Sequence, residues 1–101
     1  MTNLYKNNFE SLKTGEESFE TLLKHKNITI QKILSKDLQQ GEWYEQNDDE
    51  WVVLLEGNAI LEYETQGQKL EAGEALFIPK GLRHRVKETS DNALWLAVHI
   101  A

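Results

Sequence analysis

The chain has no cysteine. That excludes disulfides and thiolate ligands, so any metal would be held through nitrogen and oxygen. It also fits a reducing compartment. No apolar run approaches the length needed to cross a bilayer as a helix. The first thirteen residues have no apolar core of a secretion signal. A cytoplasmic protein with no membrane partner is expected. Basic residues are scarce, 11 Lys and Arg against 17 Asp and Glu, for a net charge of −6. Too few cations are free to neutralise a phosphate backbone, so no nucleic-acid partner is expected. Proline occurs once, at Pro79.

What is present is ordinary for a globular chain: 40% hydrophobic and 28% charged residues over 101 positions. One domain with one modest core is expected over residues 1–101, with an arm and helix over 1–27 and a β-barrel over 28–101. Thr14-Gly15-Glu16-Glu17 has capping-box spacing, and Phe19, Leu22 and Leu23 follow at helical intervals. Lys24, His25 and Lys26 would suit the negative end of the dipole. These signals predict a short helix over Glu16–Lys26.

From Ile28 the pattern turns to strands. Ile28–Leu34, Glu42–Gln46, Trp51–Glu56, Ala59–Thr65, Lys69–Ala72, Ala75–Ile78, Arg83–Lys87 and Ala93–Ile100 are rich in β-formers or alternate. Turn signals separate them, among them Gly57-Asn58, Gln66-Gly67 and Pro79-Lys80-Gly81. The last two strands bracket Glu88–Asn92 and are expected to form a hairpin. The fold class expected is mainly all-β, an antiparallel sandwich or barrel after one N-terminal helix.

Two stretches carry a family resemblance. Gly73-Glu74-Ala75-Leu76-Phe77-Ile78-Pro79-Lys80-Gly81-Leu82-Arg83-His84 resembles the second cupin motif, G-x5-P-x-G-x2-H, at every fixed position. The customary terminal Asn of that motif is Glu88 here. Gly41, Glu50 and Gly57 fall on the glycine and glutamate positions of the first motif, G-x5-H-x-H-x3–4-E-x6-G. Its two histidines are missing. Tyr44 and Gln46 take their places with the shorter spacer, Trp43 and Glu45 with the longer. The chain is also similar to small one-domain bacterial cupins in Trp43–Gln46, Glu50–Val52, His84–Val86 and Trp95–His99. The resemblance implies a jelly-roll β-barrel with His84 pointing into it near a metal position.

Strand alternation puts Tyr44 and Gln46 on one face, and a bend at Asn47–Asp49 would bring Glu50 to the same side. His99 joins His84 if the last two strands pair. Gln46, Glu50, His84 and His99 would then offer a divalent ion two imidazoles, a carboxylate and an amide oxygen. Zinc or iron is expected first, nickel or manganese behind them; no organic cofactor is expected. Tyr44 and Glu50 are the candidate acid or base. The competing reading is a buried Glu50–His84 pair with no ion. Asp48, Asp49, Glu42 and Glu45 read as a solvated rim. Arg83, Arg85 and Lys87 lie on the strand face opposite His84. No nucleophilic triad, phosphate loop or dinucleotide fingerprint occurs.

Three functions fit these residues. One is a metal-dependent enzyme acting on a small polar molecule, as an isomerase, lyase or dioxygenase. Another is a non-catalytic module that binds a carbohydrate or small metabolite. The third is a structural or regulatory dimer with a vestigial site. A homodimer is expected, because Ile28–Leu34 would otherwise be an open sheet edge.

Overall fold

The computed structural model describes residues 1–101. Eight strands follow a single 3-10 turn at Phe9–Ser11: β1 Glu17–His25, β2 Ile28–Lys36, β3 Asp49–Glu56, β4 Asn58–Tyr63, β5 Gly67–Glu71, β6 Ala75–Ile78, β7 His84–Thr89 and β8 Asn92–Ile100. They form a five-stranded sheet, β1-β2-β8-β3-β6, and a three-stranded sheet, β5-β4-β7. Every pairing is antiparallel. The all-β class expected from the sequence is the one observed.

The core lies between the sheets. Val52, Leu54, Ile78, Trp95 and Ala97 face it from the larger sheet, and Ala59, Leu61 and Leu70 from the smaller. One corner joins the two sheets. Asn58 N–H donates to Ser90 Oγ (3.0 Å), and Ser90 N–H donates to the Asn58 carbonyl (2.9 Å). Gly57 sits beneath with φ +87°. A Cβ there would strike the Asn92 carbonyl and the Ser90 hydroxyl. Gly41 has a related constraint without the positive φ, since its Cβ would lie 2.5 Å from the Val86 carbonyl oxygen. Both glycines of the first motif are thus set by close approach of backbone.

Four expectations are corrected. The predicted helix over Glu16–Lys26 is strand β1, paired with β2 from Glu17↔Ser35 to His25↔Ile28. A register shift between Thr21 and Leu23 explains the misreading. The extra residue changes parity, so Phe19 and Leu23 sit on opposite faces of the sheet although they are four apart. A bulged strand thereby imitates an i, i+3, i+4 stripe. The capping box is not formed. Glu17 accepts from the Ser35 hydroxyl (3.0 Å), and Glu16 accepts from Lys13 N–H.

Glu42–Gln46 is not a regular strand either. It meets β7 at the single bridge Tyr44↔His84, and the chain just before it meets β7 at Gln39↔Glu88. Six residues, 39–44, lie opposite five, 84–88, and that slip interrupts the ladder. Nor do β7 and β8 pair with each other, because Ser90-Asp91 carries the chain from one sheet to the other. Finally, β2 is interior, so the open edge on that side is β1.

Candidate functional site

The sheets enclose a cavity of about 290 Å3. Its walls are largely apolar, with Ile33, Val52, Leu61, Ile78, Val86 and Trp95 among them. Tyr44, Gln46, Glu50, His84 and His99 all line it. The structure therefore brings every candidate residue into one cavity.

Each arrives by a different route. Glu50 is the second residue of β3 and stands opposite His99 of β8 in the antiparallel register. Directly opposed residues project to the same face, so strand pairing makes them neighbours. His99 thus reaches the site through β3, not through the expected hairpin. His84 opens β7. Its backbone exchanges both hydrogen bonds with Tyr44, at 2.8 and 3.0 Å, and the two rings lie 6.3 Å apart between centroids. The Gln46 amide donates to Glu50 Oε1 at 2.8 Å.

Glu50 and His84 are only 7% and 6% exposed. Burial pushes the Glu50 carboxyl above its ordinary range; His99 and His84 pull it partly back, and Asp48 adds to the rise. A carboxyl held this way takes up and releases a proton nearer neutral pH than a surface glutamate. The Tyr44 phenol is also raised, chiefly by partial burial and then by the carboxylates of Glu17 and Glu42. It stays a hydrogen-bond donor.

The imidazoles are oriented from behind. His84 Nδ1 lies 2.9 Å from the Leu82 carbonyl. A carbonyl only accepts, so Nδ1 carries the hydrogen, and in the neutral ring Nε2 keeps its lone pair. His99 Nδ1 faces Asp48 at 3.4 Å. No protein group engages either Nε2.

Trp43 secures the segment that carries Tyr44 and Gln46. The guanidinium carbons of Arg83 and Arg85 lie 4.5 and 4.8 Å from its ring centroid. Arg85 is paired in turn with Glu62 at 2.6 Å and Arg83 with Glu64 at 3.3 Å.

No three His, Asp or Glu side chains stand close enough to share one ion. The Gln46 amide is engaged by Glu50. As arranged, these residues do not fit a metal.

Sequence reasoning missed three participants. Asp48, read as rim, backs His99. Glu17 and Gln31 line the cavity. Glu17 is held by the Ser35 hydroxyl, which also accepts from Trp95 Nε1 at 3.2 Å. Their signal was alternation along β1 and β2, hidden in β1 by the bulge.

The two facing antiparallel sheets, with a lined cavity between them, define a jelly-roll fold. The sequence profile of the cupin domain matches residues 35–99, and the chain belongs to the cupin family. A search of curated proteins finds no match. Among solved structures, a protein of Ralstonia eutropha provisionally named a mannose-6-phosphate isomerase is 33% identical. The match covers 99% of this chain and 96% of that one, with a TM-score of 0.85. A cupin-2 domain protein of Shewanella frigidimarina is 19% identical over 92% and 88%, TM-score 0.74. A cupin of Methanocaldococcus jannaschii with a double-stranded β-helix fold is 17% identical over 86% and 82%, TM-score 0.74. The last two show the fold alone.

Proposed function

We propose that the protein binds a small molecule in the cavity between its sheets, and that Glu50 and Tyr44 exchange protons with the bound molecule. One observation carries this reading: Tyr44 and Gln46 from one segment, Glu50 from β3, His84 from β7 and His99 from β8 converge on one apolar-walled cavity. Cavities of this kind, with few polar groups and shifted carboxyls, are the usual form of a ligand site. Glu50 is the proton acceptor or donor, Tyr44 a donor to a ligand oxygen, and His84 Nε2 an acceptor. Gln46 and Asp48 orient Glu50 and His99. The isomerase name of the Ralstonia relative agrees with proton-transfer chemistry.

A thermal-shift screen of sugars, small acids, alcohols and amines tests this reading. A ligand at a hundred times its Kd stabilises the fold by about 2.7 kcal/mol. Stabilisation that Glu50→Ala and His84→Ala abolish is expected. Hits indifferent to both substitutions would contradict it.

A second reading keeps a divalent ion on Gln46, Glu50, His84 and His99. It is favoured by the two imidazoles, whose Nδ1 atoms are engaged from behind and whose Nε2 atoms are free. That is how histidine ligands are commonly prepared. Glu50 would have to leave Gln46 for the donors to converge. Metal content after purification without chelator or nickel resin separates the readings. One equivalent of metal, lost in His84→Ala, would establish the ion.

The protein also forms a homodimer in this proposal. Leu23, Ile30, Val98, Trp51 and Phe77 are successive register partners across all five strands of the larger sheet. They form one apolar row on the face away from the cavity. Leu23, Trp51 and Phe77 are 50%, 42% and 54% exposed. Such rows are commonly covered by a partner.

A further inference from the structure

We infer that the cavity takes a small monocationic amine with an apolar body, its ammonium set against Glu17. This inference rests on the cavity being a ligand site and adds the charge of the ligand.

The first support is what lines the cavity. It presents two carboxylates, Glu17 and Glu50, and no Lys or Arg. The cations on β7 and just before it are engaged outside the cavity: Arg85 and Lys87 with Glu62, Arg83 with Glu64. The only helical element is a three-residue turn, so no helix N-terminus offers its amides to an anion. A phosphate or carboxylate entering the cavity would meet two carboxyls and no Lys or Arg, and the two imidazoles there are already oriented by the Leu82 carbonyl and Asp48.

The second support is the state of Glu17. It is half-buried, and no basic side chain pairs with it. Its one partner in the protein is the Ser35 hydroxyl, which Trp95 Nε1 fixes from the other side. Glu62, by contrast, has both Arg85 and Lys87. A carboxylate withdrawn from water, held by neutral donors alone, lacks a countercharge that an ammonium supplies. Burial raises its carboxyl above the ordinary range, the Ser35 hydroxyl pulls it partly back, and the Glu42 carboxylate adds to the rise.

The third support is aromatic. Phe19, Tyr44 and Trp95 line the same cavity as Glu17. Ring faces attract a cation that has shed its water, and an apolar body packs on Ile33, Val52 and Leu61. A carboxylate with aromatic walls recognises an amine and rejects an anion of equal size. A sugar phosphate, the substrate type in the name of the Ralstonia relative, would find no Lys or Arg among these walls.

The test compares benzylamine, benzyl alcohol and benzoate, which share a ring and differ in charge. Each is titrated into 15N-labelled protein, and the Trp95 indole and the Gln31 and Gln46 side-chain amide signals are followed. Benzylamine is expected to bind at least about tenfold more tightly than benzoate, with benzyl alcohol between them. Glu17→Gln, which keeps an acceptor for Ser35, is expected to erase most of the difference between amine and alcohol. Benzoate binding as tightly as benzylamine would overturn the inference, as would an amine preference unchanged in Glu17→Gln. Entry of the alcohol and benzoate without the amine would sink the charge argument and leave the ligand site standing. Entry of none of the three would sink both.

Discussion

Glu50 shows how one residue carries both a motif and a cost. Its carboxyl is raised above the ordinary 4.5, mainly by burial. The folded state therefore holds its proton to a higher pH than the unfolded chain does. Stability contributed by the protonated form is fully present below about pH 4.5 and is lost as pH rises through the raised value. Glu50→Gln removes that loss and keeps a partner for Gln46. Urea unfolding should find the variant more stable than the parent at pH 7, with the gap closing toward pH 4.5. A variant less stable than the parent at pH 7 would show that Glu50 is stabilised as an ion. The carboxylate was legible from its threshold position before an apolar run. Asp48 was not, because nothing local distinguishes it from Asp49. Asp49 instead accepts from Lys80 N–H at 2.9 Å, whereas Asp48 turns to His99.

At the scale of elements, the site depends on an irregular segment. Tyr44 and Gln46 lie on a stretch with a slipped ladder, pinned by Trp43 beneath two guanidiniums. Trp43→Ala should cost on the order of 1 kcal/mol, the worth of partly buried cation–π contacts. It should also speed amide exchange at Tyr44 and His84 without affecting β8. Unchanged exchange at these two amides would mean the segment is held some other way. Regular strands were legible wherever a run of β-formers ended at a turn residue, as Trp51–Glu56 does at Gly57-Asn58. Two features were hidden. The bulge at Leu22 made β1 look helical, because one inserted residue changes strand parity. The pairing partners of β7 and β8 were hidden as well, since adjacency in sequence says nothing about which sheet a strand joins. His99 reached the site all the same, through its place opposite Glu50.

At the scale of the molecule, the two faces of the larger sheet divide the labour. The inner face lines the cavity, and the outer face carries the Leu23–Ile30–Val98–Trp51–Phe77 row. No helix is long and apolar enough to cross a membrane. Sedimentation at micromolar concentration should find a dimer, and Trp51→Lys should shift it to monomer while the far-ultraviolet spectrum is kept. A parent that sediments as a monomer would leave the row without its proposed partner. The row could not be read from sequence, because its members come from five separated strands and meet only once the register is known. Ligand binding in the cavity between the sheets can be seen in a crystallographic fragment screen. Fragments are expected to collect between the sheets with a polar atom on Glu50, His84 or Glu17. Fragments that leave this cavity empty and gather on the outer surface would contradict the account.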